Sequence, residues 1–185
     1  MGKRTGSFGS SLQMAFTQQN LHMRYSSEVH TAPSNLVTSG KHRFFSWLLV
    51  QEKILTADKL QARNWPCNPM CLLCKIAPES ASHICLQCPY AQHVWELVQS
   101  WSHDLVRKPD ANSTIEDWWT DSLQSMPKEQ RRTKAAILIY TVWNLWNERN
   151  RRTFQGKEAE PLMVLQLIKE EIGLRLRACG KPCVP

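Results

Sequence analysis

Four cysteines and one histidine lie within the stretch CLLCKIAPESASHICLQC, residues 71–88. Two of its cysteine pairs have Cys-x2-Cys spacing, which lets two thiolates reach one ion from a single tight turn. A tetrahedral zinc ion takes four ligands, and the stretch offers five. The spacing alone therefore leaves two ligand sets open: Cys71, Cys74, Cys85 and Cys88, or Cys71, Cys74, His83 and Cys88.

The chemistry of these side chains favours one closed structural Zn²⁺ over the alternatives. Thiolate and imidazole ligands are too soft for magnesium or calcium. A redox Cys-x-x-Cys pair would be expected within a βαβ pattern, which is missing. A catalytic zinc would keep an open coordination position and a nearby base. Glu79 lies in the loop and could be such a base, but the sequence lacks the His-x-Glu signature of zinc deaminases. Two other interpretations of the stretch remain. The cysteines could be buried without a metal, or Cys67 or His93 could substitute for one of the ligands.

The charge of the chain is uneven along its 185 residues. The net charge is +7, with +4 in residues 1–50, −3 in residues 51–130 and +6 in residues 131–185. A basic balance favours an anionic partner. The sequence contains neither an apolar run long enough for a membrane span nor a secretory signal, so we expect an intracellular protein with reduced thiols and no membrane partner.

The pattern along the chain predicts a mostly α fold, with short helices around a zinc knuckle and a helical C-terminal region. We expect a disordered or poorly ordered lead-in (1–40), a zinc-binding domain (41–105), a helical region (113–178) and a tail (179–185). Capping and stop signals are clear at several places. Thr56, Pro89 and either Ser113 or Thr114 are typical of helix starts, while Pro127 opens and Gly156 ends the longest helix. A last amphipathic helix is predicted to bury one stripe: Leu162, Leu165, Ile168, Ile172 and Leu176.

A family resemblance extends over about residues 41–157. The segments KHRFFSWLLVQEKILTADKLQARNW, CLLC and ESASHICLQCPYAQHVWELV resemble the zinc-binding domain that follows reverse transcriptase in LINE-type (non-LTR) retroelements of plants. The shared pattern falls on Phe44, Phe45, Trp47, Leu48, Leu55, Thr56, Asp58, Leu60, Cys71, Cys74, Glu79, His83, Cys88, Val94 and Trp95. The resemblance implies that His83 is the fourth zinc ligand and that Cys85 fills an apolar core position.

The resemblance also implies that the module binds RNA or DNA beside a reverse transcriptase. Candidate phosphate contacts are Lys41, Arg43, Arg131, Arg132, Lys134, Arg149, Arg151 and Arg152. Trp143 and Trp146 are candidates for base stacking, although their apolar surroundings favour burial in the core.

Two further readings remain open: a zinc-stapled module that docks a partner protein, or a retroelement relic without a selected function. The polymerase motif Tyr-x-Asp-Asp and a nucleophile–base set are both missing from the sequence, so catalysis is not expected.

Overall fold

The computed structural model describes residues 40–124 and 126–179, apart from the side chains of residues 129, 176, 178 and 179. The predicted lead-in, except Gly40, and the tail, except Cys179, lie outside these ranges. The described part is mostly helical and contains no strand, only one antiparallel bridge between Met70 and Pro78. This confirms the predicted fold class. No helix in the same ranges is long and apolar enough to cross a membrane.

The described residues form six α-helices and one turn of π-helix, which loops connect. The π turn spans His83–Gln87 and runs directly into the third α-helix. We number the α-helices in chain order: α1 Gly40–Val50, α2 Ala57–Gln61, α3 Pro89–Trp101, α4 Ile115–Leu123, α5 Lys128–Gln155 and α6 Pro161–Cys179.

Local signals set most helix boundaries as predicted. Thr56 precedes α2, and Pro89 is the first residue of α3. Thr114 caps α4, because its hydroxyl oxygen accepts a hydrogen bond from the Asp117 N–H at 3.1 Å. Pro127 precedes α5, and Gly156 follows it with φ of 64°, a left-handed conformation that glycine adopts without a Cβ clash.

One hydrophobic core joins the predicted zinc-binding and C-terminal regions. Helix α5 packs against α1 and α6, and α3 packs against α6. Trp95 of α3 is fully buried in the same core as Leu138 and Leu145 of α5 and Ile168 of α6. Residues on both sides of position 105 therefore share their packing, because each amphipathic helix must bury its apolar stripe against another element.

The tryptophans of α5 are core residues, as the apolar residues around them in the sequence predicted. Trp146 is 4% exposed. Trp143 is half-buried, and its ring packs edge-on against Phe45 at 5.3 Å and against His42 at 5.0 Å. Their aromatic faces are therefore largely taken up within the protein.

The predicted buried stripe of α6 is wrong at its first position. Leu162 is 58% exposed, whereas Val164, Leu165, Ile168 and Ile172 are buried. At about 100° of rotation per residue, Leu162 points roughly 100° away from the middle of the stripe formed by Val164, Leu165, Ile168 and Ile172. The side chain of the remaining predicted member, Leu176, is not described.

A pair of glycine substitutions tests how the last two helices are joined. Gly156→Ala should lower the free energy of unfolding by about 1 kcal/mol, because an L-residue resists the left-handed conformation. Gly173→Ala, inside α6, should raise it by about 0.5 kcal/mol, since a Cβ there meets no heavy atom closer than Arg177 Nη1 at 3.8 Å. Urea denaturation of both variants measures these opposite changes in the free energy of unfolding. Equal effects at the two positions would contradict this account of the junction.

Candidate metal centre

The first ligand pair lies on a tight turn. The Lys75 N–H donates to the Cys71 carbonyl at 2.7 Å, which closes the turn around Cys74. Lys75 itself has φ of 61°, and the Cys71 N–H donates to the Ala77 carbonyl at 2.9 Å. These bonds direct the chain back on itself, so the Cys71 and Cys74 side chains point to one side.

The second ligand pair depends on the π turn. His83 and Cys88 are five residues apart, which is about 1.4 turns of a regular α-helix and would aim their side chains in different directions. In the structure the Cys88 N–H donates to the His83 carbonyl at 2.8 Å, the i→i+5 bond of a π turn. The wider turn brings both residues to the same side. In this chain, the π turn is therefore the local geometry that lets a His-x4-Cys spacing supply two ligands to one site.

Four ligand atoms converge in one place. The thiol sulfurs of Cys71, Cys74 and Cys88 and a ring nitrogen of His83 all lie within 4.8 Å of one another. Cys71 and Cys88 Sγ are 4.0 Å apart, and Cys74 Sγ lies 3.3 Å from His83 Nε2. Ligands around a tetrahedral zinc, with Zn–S near 2.3 Å, are separated by about 3.7 Å. The cluster therefore fits a zinc ion, and three of its members are buried.

The electrostatics of the cluster favour the anionic ligand form at Cys71. A hydrogen bond from the Cys88 thiol lowers the pKa of Cys71 to about 4. Hydrogen bonding with Cys71 in turn raises the pKa of His83. Thiolate and neutral imidazole are the forms that bind zinc, so metal binding releases protons from this cluster.

Cys85 has different surroundings and does not belong to the cluster. Its side chain is completely buried, and burial raises the pKa of its thiol. Its carbonyl accepts a 2.8 Å hydrogen bond from Trp95 Nε1. Cys67 is also separate, with its thiol directed at the Ala57 carbonyl at 3.5 Å. Of the two ligand sets that the spacing left open, the structure assembles the one with His83.

A buried ion pair fixes the metal loop to α5. Glu79 is 2% exposed and Arg149 is 6% exposed. Arg149 Nη2 donates to Glu79 Oε1 at 2.6 Å, and Arg149 Nε donates to Glu79 Oε2 at 3.0 Å. The same Oε1 accepts the Ala57 N–H at 2.9 Å, at the start of α2. Glu79 therefore joins three parts of the chain, a role that no local sequence signal revealed.

A second arginine of α5 holds the loop between Cys71 and Cys74. Arg152 Nη1 donates to the carbonyls of Leu72 and Leu73 at 3.2 and 3.1 Å. Its Nε donates to Glu148 Oε1 at 2.7 Å, and its guanidinium lies 4.6 Å from the Tyr90 ring centroid. This contact is also invisible to the sequence, since about eighty residues separate the partners.

The predicted phosphate contacts fall into two groups. Arg149, Arg151 and Arg152 all form ion pairs with buried glutamates, Glu79 or Glu148. These pairs favour an internal role for the three arginines. The other group forms no ion pair with a described residue, and consists of Lys41, Arg43, Arg131, Arg132 and Lys134.

Breaking the buried ion pair should cost far more than breaking an exposed one. Arg149→Met leaves Glu79 charged and unpaired in the interior, so we expect a loss of about 3–5 kcal/mol in the free energy of unfolding. Lys108→Met removes the exposed pair with Glu96 and should leave the free energy of unfolding almost unchanged. Urea denaturation of the zinc-loaded chain compares the two. Similar small losses would mean that the Glu79–Arg149 pair does not hold the loop.

Comparison with known proteins agrees with this geometry. No curated protein and no solved structure matches the chain. Residues 15–95 match the family model described as zinc-binding in reverse transcriptase. The match begins within the predicted lead-in and includes all four residues of the metal cluster. This part of the chain is thereby supported as a zinc-binding domain of the kind found in reverse transcriptases.

Proposed function

We propose that the chain is a non-catalytic module built around one structural zinc ion, that it derives from a plant LINE-type retroelement, and that it binds nucleic acid beside a reverse transcriptase. The observation that carries the proposal is the convergence of Cys71, Cys74, His83 and Cys88 inside the range matched by the family model. Four protein ligands complete a tetrahedral site, which is the pattern of structural zinc.

The surroundings of the site support a structural role over a hydrolytic one. A catalytic zinc would need an open coordination position and a carboxylate able to accept a proton. Glu79 is the acidic residue of the metal loop, and its carboxylate already accepts hydrogen bonds from Arg149 and from the Ala57 N–H. The zinc would then act through folding energy, because it ties the loop and α3 together.

The charge distribution supports an anionic partner that binds away from the metal loop. Lys75 is the one basic residue between Cys71 and Cys88, and it pairs with Glu158 at 2.7 Å. Arg131, Arg132 and Lys134, by contrast, lie on the first turns of α5 and form no ion pair with any described residue. Their charges remain available to phosphate groups.

A protein-docking role is the second candidate, and one observation favours it. Leu162, Met163 and Leu174 of α6 are each at least half exposed. Large apolar side chains on one surface helix are typical of interaction surfaces, although single exposed leucines are common. Under this reading the zinc would staple the helices that present α6 to a partner.

Metal content tests the zinc site. The full chain should carry about one zinc, measured by mass spectrometry of the native protein. Cys85→Ala should keep the metal, because Cys85 lies outside the cluster. His83→Ala should lose it, whereas His83→Cys should retain it by supplying a fourth thiolate. Loss of zinc in Cys85→Ala with retention in His83→Ala would instead establish the all-cysteine site.

Salt dependence of binding tests the nucleic-acid role. The zinc-loaded chain should bind a fluorescein-labelled single-stranded RNA or DNA in an anisotropy titration. With about three phosphate contacts, raising the salt from roughly 50 to 200 mM should weaken binding by about twentyfold. Binding that is absent at low salt would remove the nucleic-acid role and leave the protein-docking role. Running RNA and DNA in parallel gives the preference of the module.

A further inference from the structure

An open cleft of about 1080 Å³ lies outside the range that matches the zinc-binding family model. Its walls are the segment between α3 and α4, the outer part of α4 and the first half of α5. Gln130, Thr133, Lys134 and Ile137 line it from one face of α5. The volume is slightly above the range of about 300–1,000 Å³ that is usual for small-molecule sites.

Two cations without a carboxylate partner line this cleft. Neither Arg107 nor Lys134 has an acidic oxygen within 4.0 Å among the described residues. Lys134 is half-buried, and its burial together with the charge of Arg107 lowers the pKa of its ammonium group. Two like charges are thus held near each other, and an anion between them would relieve their repulsion.

The remaining charges of the cleft are more fully engaged. Lys108 pairs with Glu96 at 2.7 Å. Asp104 accepts a hydrogen bond from Gln99 Nε2 at 2.8 Å, and Asp110 accepts one from the Asn112 N–H at 2.9 Å. Asp121 also lines the cleft and is exposed. A ligand must therefore place its negative charge near Arg107 and Lys134 and keep it away from these carboxylates.

Aromatic rings form the apolar part of the wall. Trp118 is 5% exposed, and its ring packs edge-on against Trp95 at 5.5 Å and Trp119 at 5.9 Å. Its indole N–H has no acceptor among the described residues. Trp101 is half-buried beside it, with Lys169 over its ring at 5.5 Å. A buried donor without a partner costs free energy, so an acceptor on a bound ligand would be favoured here.

We propose that this cleft is the main contact of the chain with single-stranded nucleic acid, in which Arg107 and Lys134 bind phosphodiester oxygens and the accessible part of the Trp101 ring contacts an unstacked base. This assignment rests on the proposed nucleic-acid function and places its principal site between the α3–α4 segment and α5. Single strands expose both the phosphates and the base faces that such a cleft requires. A free nucleotide shares the same chemistry, and the experiment separates the two.

The test uses the full zinc-loaded chain and a fluorescein-labelled single-stranded oligothymidylate. Anisotropy titrations compare the parent with Arg107→Gln/Lys134→Gln. The matched control is Arg63→Gln/Lys157→Gln, which removes the same charge from two exposed residues that form no ion pair with a described residue. We expect the cleft variant to lose at least about tenfold in affinity and its salt slope to fall by about 1.4, as for two lost phosphate contacts on a single strand. The control should lose less than about twofold.

Each other outcome overturns the assignment in a distinct way. Equal losses in both variants would mean that net charge alone binds the strand, and no loss in the cleft variant would place the site elsewhere; both results leave the nucleic-acid function standing. Failure of the parent to bind would remove that function as well. If thymidine monophosphate displaces the strand at a concentration close to the dissociation constant of the oligonucleotide, the ligand of the cleft is a free nucleotide. Thermal melting of the cleft variant should match the parent, since Arg107 is exposed.

Discussion

The buried ion pair between Glu79 and Arg149 is the contact on which the arrangement of the zinc loop depends. It joins residues 70 positions apart, and both side chains are almost completely removed from water. Such a pair is stable only when both partners are present and well hydrogen-bonded. Here the guanidinium meets both carboxylate oxygens, and the Ala57 N–H uses a further lone pair. The pair therefore specifies one way of packing the loop against α5.

This arrangement links the metal site to the helical half of the chain. Arg152 donates to the carbonyls between Cys71 and Cys74, while Glu148 accepts from Arg152 and from the Ala159 N–H. A zinc ion bound by the cluster would stabilise the loop that these residues hold, and through it the junction of α5 with α6. Free energy from metal binding would thus reach helices that contribute no ligand. The shared hydrophobic core extends the same coupling.

The same contacts divide the basic residues into two kinds. Those at the end of α5 neutralise buried glutamates and serve the fold. Those at its beginning, together with Arg107, lack carboxylate partners in the described part of the chain. The metal loop contributes little positive charge of its own. Under the proposed function, zinc binding and contact with an anionic partner are tasks of different surfaces.

The sequence by itself determined the local features of this protein. Pro89, Thr114 and Gly156 mark helix ends because caps act on backbone groups within one turn, and such effects depend only on near neighbours. The Cys-x2-Cys turn is local in the same sense. The choice between His83 and Cys85 as the fourth zinc ligand was not a local matter, since the spacing allowed both and only the family resemblance favoured His83.

The tertiary structure decided what depends on distant partners. The π turn placed His83 in the cluster and left Cys85 beside Trp95 in the core. The sequence offered Arg149 and Arg152 as phosphate contacts, whereas the structure packs the metal loop against both side chains. In each case the environment of the side chain is made by residues remote in sequence, and no local pattern encodes it.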